Sequence, residues 1–225
     1  MKKLIMFLLF AGSISAQSFS VKNVSGDVKY QNGNSENWAV LEDGSRVNDD
    51  AIIITADNSF VELGGNDISF KLSESSAVSV SSIKKMNTDD LLLALAMEDM
   101  MNAPKEIEKN SDNTAVYGTE QGQENSLFIK SDNFGIKRLN GAVQLAQNDL
   151  QESAVVAARE TYRKYPETKT LSSYRIYFAD ILYEKGLYEE ALDDFIDLNK
   201  LHLSDDEKNE VSLKIETINM KLLNE

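Results

Sequence analysis

The sequence predicts an α+β chain of two unlike modules: an N-terminal antiparallel β-sandwich or rolled sheet, followed by α-helical hairpin repeats. Two observations carry this. Between Val21 and Val80 apolar residues alternate with polar ones at period two, whereas from Leu139 to Leu223 they recur at helical spacing. Clusters of turn formers punctuate the first stretch at the roughly eight- to twelve-residue spacing expected of successive short antiparallel strands.

The chain opens with a basic start, Lys2 and Lys3, an apolar run from Leu4 to Phe10, and the small residues Ala11 to Ala16. This pattern predicts a signal peptide over 1–16, cut after Ala16, because the run falls short of the about 17–25 residues that span a bilayer. The expected destination is the periplasm, with secretion or the cell surface left open. No later segment is long and apolar enough to serve as a transmembrane anchor. The sequence contains no cysteine, so neither an amino-terminal lipid nor a disulfide framework is expected.

Charge narrows the partners. There are 23 basic and 37 acidic residues, a formal charge of −14, and loss of the leader removes two more lysines. Such a surface repels polyanions, which argues against nucleic acid and bare anionic lipid.

The first module, 17–83, is read from its alternation. Val28 and Tyr30, Trp38 and Val40, Ile52 and Ile54, Val61 and Leu63, Ile68, Phe70 and Leu72, then Val78 and Val80 are expected to share the buried face of successive strands. Asn32-Gly33-Asn34, Asp43-Gly44, Asp57-Asn58-Ser59 and Gly64-Gly65-Asn66-Asp67 supply the turns. Trp38 is open to two readings: packing in the sheet core, which is favoured because large aromatics dominate small cores, or stacking on a sugar ring.

Gly26-Asp27-Val28, Trp38, Leu41, Gly44-Ser45, Val47, Asp50-Ala51-Ile52, the run Thr55 to Ser59, Val61-Glu62-Leu63 and the run Ile68 to Leu72 together resemble the FecR-like domain. The segment Asn113 to Thr119 is similar to a threonine- and glycine-containing stretch that often follows that domain, without its usual arginine. The resemblance implies an exported, all-β module that faces a protein or another envelope component. Regulators of that family also carry a membrane anchor and a cytoplasmic part acting on a sigma factor. Neither is expected here, so direct sigma-factor control is not.

A join, 84–133, separates the modules. Thr88 is a candidate helix cap, Asp89 and Asp90 suit the positive end of a helix dipole, and Leu91 to Met101 is apolar or small throughout most of its length, which predicts a helix over 88–101. Glu98 and Asp99 give it an acidic face, favouring internal docking over a membrane surface or partner. Residues 102–125 read as a connection, and Leu127-Phe128-Ile129 as a possible strand near 126–131.

The helical module, 134–225, contains a repeat. Ala179 and Leu182 fall on a first helix, Gly186 on the turn, and Tyr188, Ala191, Phe195 and Leu198 on a second, a pattern that resembles a tetratricopeptide repeat. An earlier copy places Leu145 on its first helix, Ala154 and Ala158 on its second, and Pro166 as the stop. Ala154 and Ala191 are 37 residues apart, against a period of about 34, which predicts an insertion near 168–172. Ser204 and Glu207 form a capping-box pattern ahead of the stripe Val211, Ile215, Ile218 and Leu222, expected to be a C-terminal capping helix. The resemblance places first helices on the concave face, which makes Tyr174 and Arg175 the candidate partner-binding residues.

Nothing in the sequence points to catalysis. With His202 the sole histidine and no cysteine, the common metal sites, thiol chemistry and histidine triads have no residues to use, and no metal or cofactor is expected. His202 is read as a loop residue, and Asp49-Asp50, Asp193-Asp194 and Asp205-Asp206 as solvated charge or helix caps. The chain is therefore expected to be a non-enzymatic exported scaffold of the cell envelope. Its repeats would bind a protein partner and its sheet domain an envelope component; the alternative is a structural component that binds peptidoglycan or another glycan through the sheet domain.

Overall fold

A computed structural model describes residues 18–33, 35, 37–102 and 129–224. The leader at 1–16, most of the connection at 102–125, the segment Asn113 to Thr119 and the pair Leu127-Phe128 lie outside the described residues. Ile129 to Ser131, the described end of the possible strand, are not in a strand.

The first module consists of eight strands: β1 (Ser18–Ser25), β2 (Val28–Asn32), β3 (Ala39–Val40), β4 (Arg46–Asn48), β5 (Ala51–Thr55), β6 (Phe60–Gly65), β7 (Ile68–Leu72) and β8 (Ala77–Ser79). They form two four-stranded antiparallel sheets, ordered β4-β1-β6-β7 and β3-β2-β5-β8. Their buried faces combine Phe19, Val21, Leu63, Phe70 and Leu72 of the first sheet with Val28, Ala51 and Ile53 of the second, each at most 2% exposed. Burial of one such aliphatic or aromatic side chain stabilises by about 1.5–3 kcal/mol. The β6–β7 hairpin turns on Asn66 and Asp67, whose φ values of 52° and 56° make the two-residue loop that matches strand twist.

Cross-strand register corrects the expected inner face of the second sheet. Lys29 pairs with Val40 and Ile54, and Gln31 with Ile52, so these apolar residues share the outer face with polar partners. Ala51, Ile53 and Thr55 point inward instead, opposite Asn32, Tyr30 and Val28. Val40 is accordingly 66% exposed on the edge strand, and Tyr30 is half-buried.

Six helices are described: α1 (Thr88–Asn102), α2 (Phe134–Gln147), α3 (Gln151–Lys164), α4 (Ser172–Glu184), α5 (Tyr188–Leu198) and α6 (Asp205–Leu222). The cap of α1 is Asn87 rather than Thr88. Asn87 Oδ1 accepts from the Asp90 amide at 2.8 Å, and Asp90 Oδ2 accepts from the Asn87 amide at 3.3 Å, a reciprocal box that Thr88, already inside the helix, cannot make. Leu91 and Leu95 of α1 are buried in the core, and α1 packs on α3. Glu98, expected on an exposed acidic face, is instead buried and accepts from Arg163 Nε at 2.7 Å and Nη2 at 3.3 Å.

Helices α2 and α3 make the first hairpin and α4 and α5 the second. Leu145, Ala154, Ala158, Ala179, Leu182, Ala191, Phe195 and Leu198 are all fully buried between them. Gly186, at φ 77°, lets the Leu187 amide reach the Leu182 carbonyl at 3.0 Å and closes α4. Pro166 ends the first hairpin by opening a short 3-10 turn, Pro166–Thr170, which overlaps the insertion expected near 168–172. Helix α6 starts on a complete Ser204–Glu207 capping box and buries Val211 and Ile218.

The two modules meet along α2. Gly141 lies over β8, where a Cβ would stand 2.0 Å from the Ala77 carbonyl oxygen. Asn140, Gln144 and Asn148, four residues apart, face the end of β7 and the link that joins it to β8. Asn140 Nδ2 donates to the Ser75 carbonyl at 2.7 Å; Gln144 Oε1 accepts from the Ser73 amide at 2.5 Å; Asn148 Oδ1 accepts from the Lys71 amide at 3.2 Å. Gln144 Nε2 also donates to Ser76 Oγ at 2.7 Å.

Candidate partner-binding cleft

The two residues singled out from the sequence fall in different settings. Tyr174 is fully buried, its hydroxyl donating to Asn140 Oδ1 at 2.5 Å and accepting from the Ile129 amide at 3.2 Å. Burial pushes that hydroxyl up to about 12. The helix face expected to line an open groove is thus covered at Tyr174 by α2 and by the join around Ile129. Arg175 is half-buried and donates to Asp197 Oδ2 at 2.8 Å. Tyr188 packs as expected, its ring 5.6 Å from that of Tyr183 and its hydroxyl accepting from Lys221 Nζ at 3.0 Å.

What the helices do enclose is a cleft of about 250 Å³ walled by α1, α3, α4 and α5. Its apolar lining is Leu95 and the Tyr162 ring; its carboxylates are Asp99, Glu190, Asp193, Asp194 and Asp197; its cations are Arg159, Lys169 and Arg175. Helical spacing puts Glu190, Asp193, Asp194 and Asp197 on one face of α5. Arg159 Nη2 lies 2.8 Å from Asp194 Oδ2, and Arg175 Nη2 the same distance from Asp197, so two of the three cations are already held. Among the described residues Asp99, Glu190 and Asp193 have no ion-pair partner. Asp194, read from sequence as solvated, has a side chain only 13% exposed. Burial pushes its carboxyl above the usual range, and the Arg159 and Arg175 charges offset that only in part, with Asp197 and Asp193 opposing them.

Tyr162 gives the cleft its second property. It is 8% exposed, and its hydroxyl is the buried side-chain polar atom without a hydrogen-bond partner among the described residues. Burial first, then the Asp194 charge, pushes that hydroxyl above its ordinary value. Sequence reasoning missed Tyr162, Glu190 and Asp193; an acidic stripe on one helix face reads as a solvated surface until neighbouring helices wall it in. A wider hollow beside Tyr188, Thr217, Met220, Lys221 and Asn224 is less informative, because Lys221 there already lies over the Tyr183 and Tyr188 rings.

Trp38, favoured for the core, is 39% exposed. It precedes the edge strand β3 and meets the Phe134 ring edge-on at 6.2 Å, with Phe134 in turn 5.8 Å from Tyr165. His202 is exposed between α5 and α6, as expected of a loop residue, and Asp205 and Asp206 lie exposed in the first turn of α6. No group of three or more metal-ligating side chains is found among the described residues, and no described helix is long and apolar enough to cross a membrane. No protein-family model, curated protein or solved structure matches the chain.

Proposed function

We propose that the protein is a non-enzymatic, exported binding scaffold of the cell envelope, in which the helical hairpins engage a protein partner and the sandwich contacts an envelope component. The observation that carries the first half is the cleft between α1, α3, α4 and α5, whose unpaired carboxylates and partnerless tyrosine hydroxyl leave recognition groups unused within the chain. Export and the envelope setting rest on the leader-like start and on the resemblance of the two modules to FecR-like and tetratricopeptide families. The reading as non-enzymatic is supported by the arginine pairing of two of the clustered carboxylates and by a lining that includes no histidine or cysteine. Crosslinking of the full chain in native envelopes, followed by affinity capture and mass spectrometry, is expected to return a specific protein partner. Recovery of none would sink this reading.

A second reading has its own observation. The exposure of Trp38, beside Phe134 and Tyr165 at the seam of the modules, suits stacking on a sugar face and so favours a glycan-binding sandwich. Sedimentation with purified peptidoglycan, lost on Trp38→Ala, is the expected result; a protein that stays in the supernatant excludes it.

A further inference from the structure

We propose that the cleft receives a lysine or arginine side chain from a basic segment of the partner, the cation lying between Glu190 and Asp193 with the Tyr162 hydroxyl as an acceptor. This rests on the reading of the helices as a partner-binding array and supplies its chemistry.

Three observations select a cation. The lining holds five carboxylates against three cations, and the two arginines are already engaged at 2.8 Å. An anionic ligand would therefore find only exposed Lys169 free while meeting Asp99, Glu190 and Asp193. Asp194, although paired with Arg159, remains under-compensated: burial and neighbouring carboxylates outweigh the two arginines, and an added positive charge relieves that imbalance. The Tyr162 hydroxyl, closed off from solvent in the empty cleft, has an unused acceptor, which suits an ammonium or guanidinium N–H once the lining side chains part to admit it.

The dimensions select a single side chain. A volume of about 250 Å³ falls below the ~300–1,000 Å³ of small-molecule sites. Leu95 and the Tyr162 ring give an apolar wall for a methylene stem, while the carboxylates hold the charged head.

The test is fluorescence anisotropy on the full chain with a labelled alternating lysine–alanine dodecapeptide, the same peptide with every lysine acetylated, and spermidine as competitor. The acetylated peptide and the Glu190→Gln/Asp193→Asn variant are each expected to weaken binding about tenfold or more, as loss of charge-assisted hydrogen bonds predicts. Tyr162→Phe is expected to weaken it about threefold or more while leaving the fold intact by circular dichroism. Glu42→Gln/Asp43→Asn, the same charge change on an exposed turn of the sandwich, should leave it unchanged. Equal weakening by both double variants would reduce the effect to general surface charge and overturn the proposal, as would absence of peptide binding. Spermidine binding that needs Glu190 and Asp193, without peptide binding, would assign the cleft to a free polyamine and overturn the peptide assignment. Envelope capture separates the two levels: a partner retained equally by wild type and Glu190→Gln/Asp193→Asn defeats the cation site but leaves the scaffold reading standing. No partner for wild type defeats the scaffold reading, while the peptide measurements still decide the cleft.

Discussion

Gly141 of α2 and Ala77 of β8 approach so closely that any side chain on the first would meet the carbonyl of the second, with only 2.0 Å available to a Cβ. Backbone lies against backbone, so no rotamer change relieves the clash. Gly141→Ala is therefore expected to destabilise the protein by about 1–3 kcal/mol or more. Urea titration followed by Trp38 fluorescence checks both the magnitude and the place, because Trp38 contacts Phe134 at the start of the same helix. Unchanged stability would mean that the helix does not sit on the sheet in this way.

The amide side chains beside Gly141 make a second prediction. Asn140→Ala leaves the Ser75 and Ile129 carbonyls and the Tyr174 hydroxyl without their shared partner, at about 1–3 kcal/mol for a buried group left unpaired. Gln144→Leu keeps the size but strips the Ser73 amide of its acceptor, so that amide is expected to exchange hydrogen faster than in wild type. Exchange at an unaltered rate would contradict the contact.

Helix α1 is held by Glu98 as well as by Leu91 and Leu95. The Arg163 side chain keeps 28% of its exposure, so breaking the pair with Glu98→Ala is expected to cost about 1–2 kcal/mol, less than the ~3–5 kcal/mol of fully buried pairs. Limited proteolysis checks the location: cleavage within 88–102 should rise well before cleavage in the later helices.

Acid stability depends on opposing carboxylates in the helical part. Hydrogen bonding from Lys200, with Arg175 assisting, holds Asp197 below the usual range; in Glu160 and Glu207 burial is outweighed by hydrogen bonds from Lys164 and Ser172 respectively, together with further partners. Each contributes stability that is present above its unfolded-state pKa and lost as pH falls through its lowered folded value. Asp194 has the opposite sign. Its raised folded value imposes a penalty near neutrality that is relieved as pH falls through that value toward the ordinary carboxylate range. Asp194→Asn removes the relief, so the loss of unfolding free energy between about pH 7 and pH 3 is expected to be larger than in wild type. Urea titrations at the two pH values decide it, and an equal or smaller loss contradicts the assignment.

The division into sheet and helices was legible because alternation and helical spacing are strong signals wherever one face alone is apolar. They fail where both faces are. Ala51-Ile52-Ile53-Ile54-Thr55 has no polar alternation to choose its inner side, and the choice is made by pairing Ile54 with Lys29 across the sheet. Buried alanines such as Ala154 and Ala191 were visible from their spacing, since close helix packing needs small residues. Tyr174 was misplaced because the chain around Ile129, far from it in sequence, covers its helix face. The cleft was illegible for a related reason: Glu190 and Asp193 look like any solvated acidic face, and the Tyr162 ring like any core aromatic. Only assembly of α1, α3, α4 and α5 makes them neighbours.

The contacts of α2 also distribute mutational tolerance unevenly. Asn140, Gln144 and Asn148 reach the main-chain atoms of Ser75, Ser73 and Lys71, groups that every residue type presents there save proline where an amide donates. Apart from Ser76, whose hydroxyl accepts from Gln144, side chains along that stretch can drift over generations without dissolving the joint, whereas the helix must retain its amides and its glycine. In a set of descendants, invariance along this seam should therefore accumulate on one side of it.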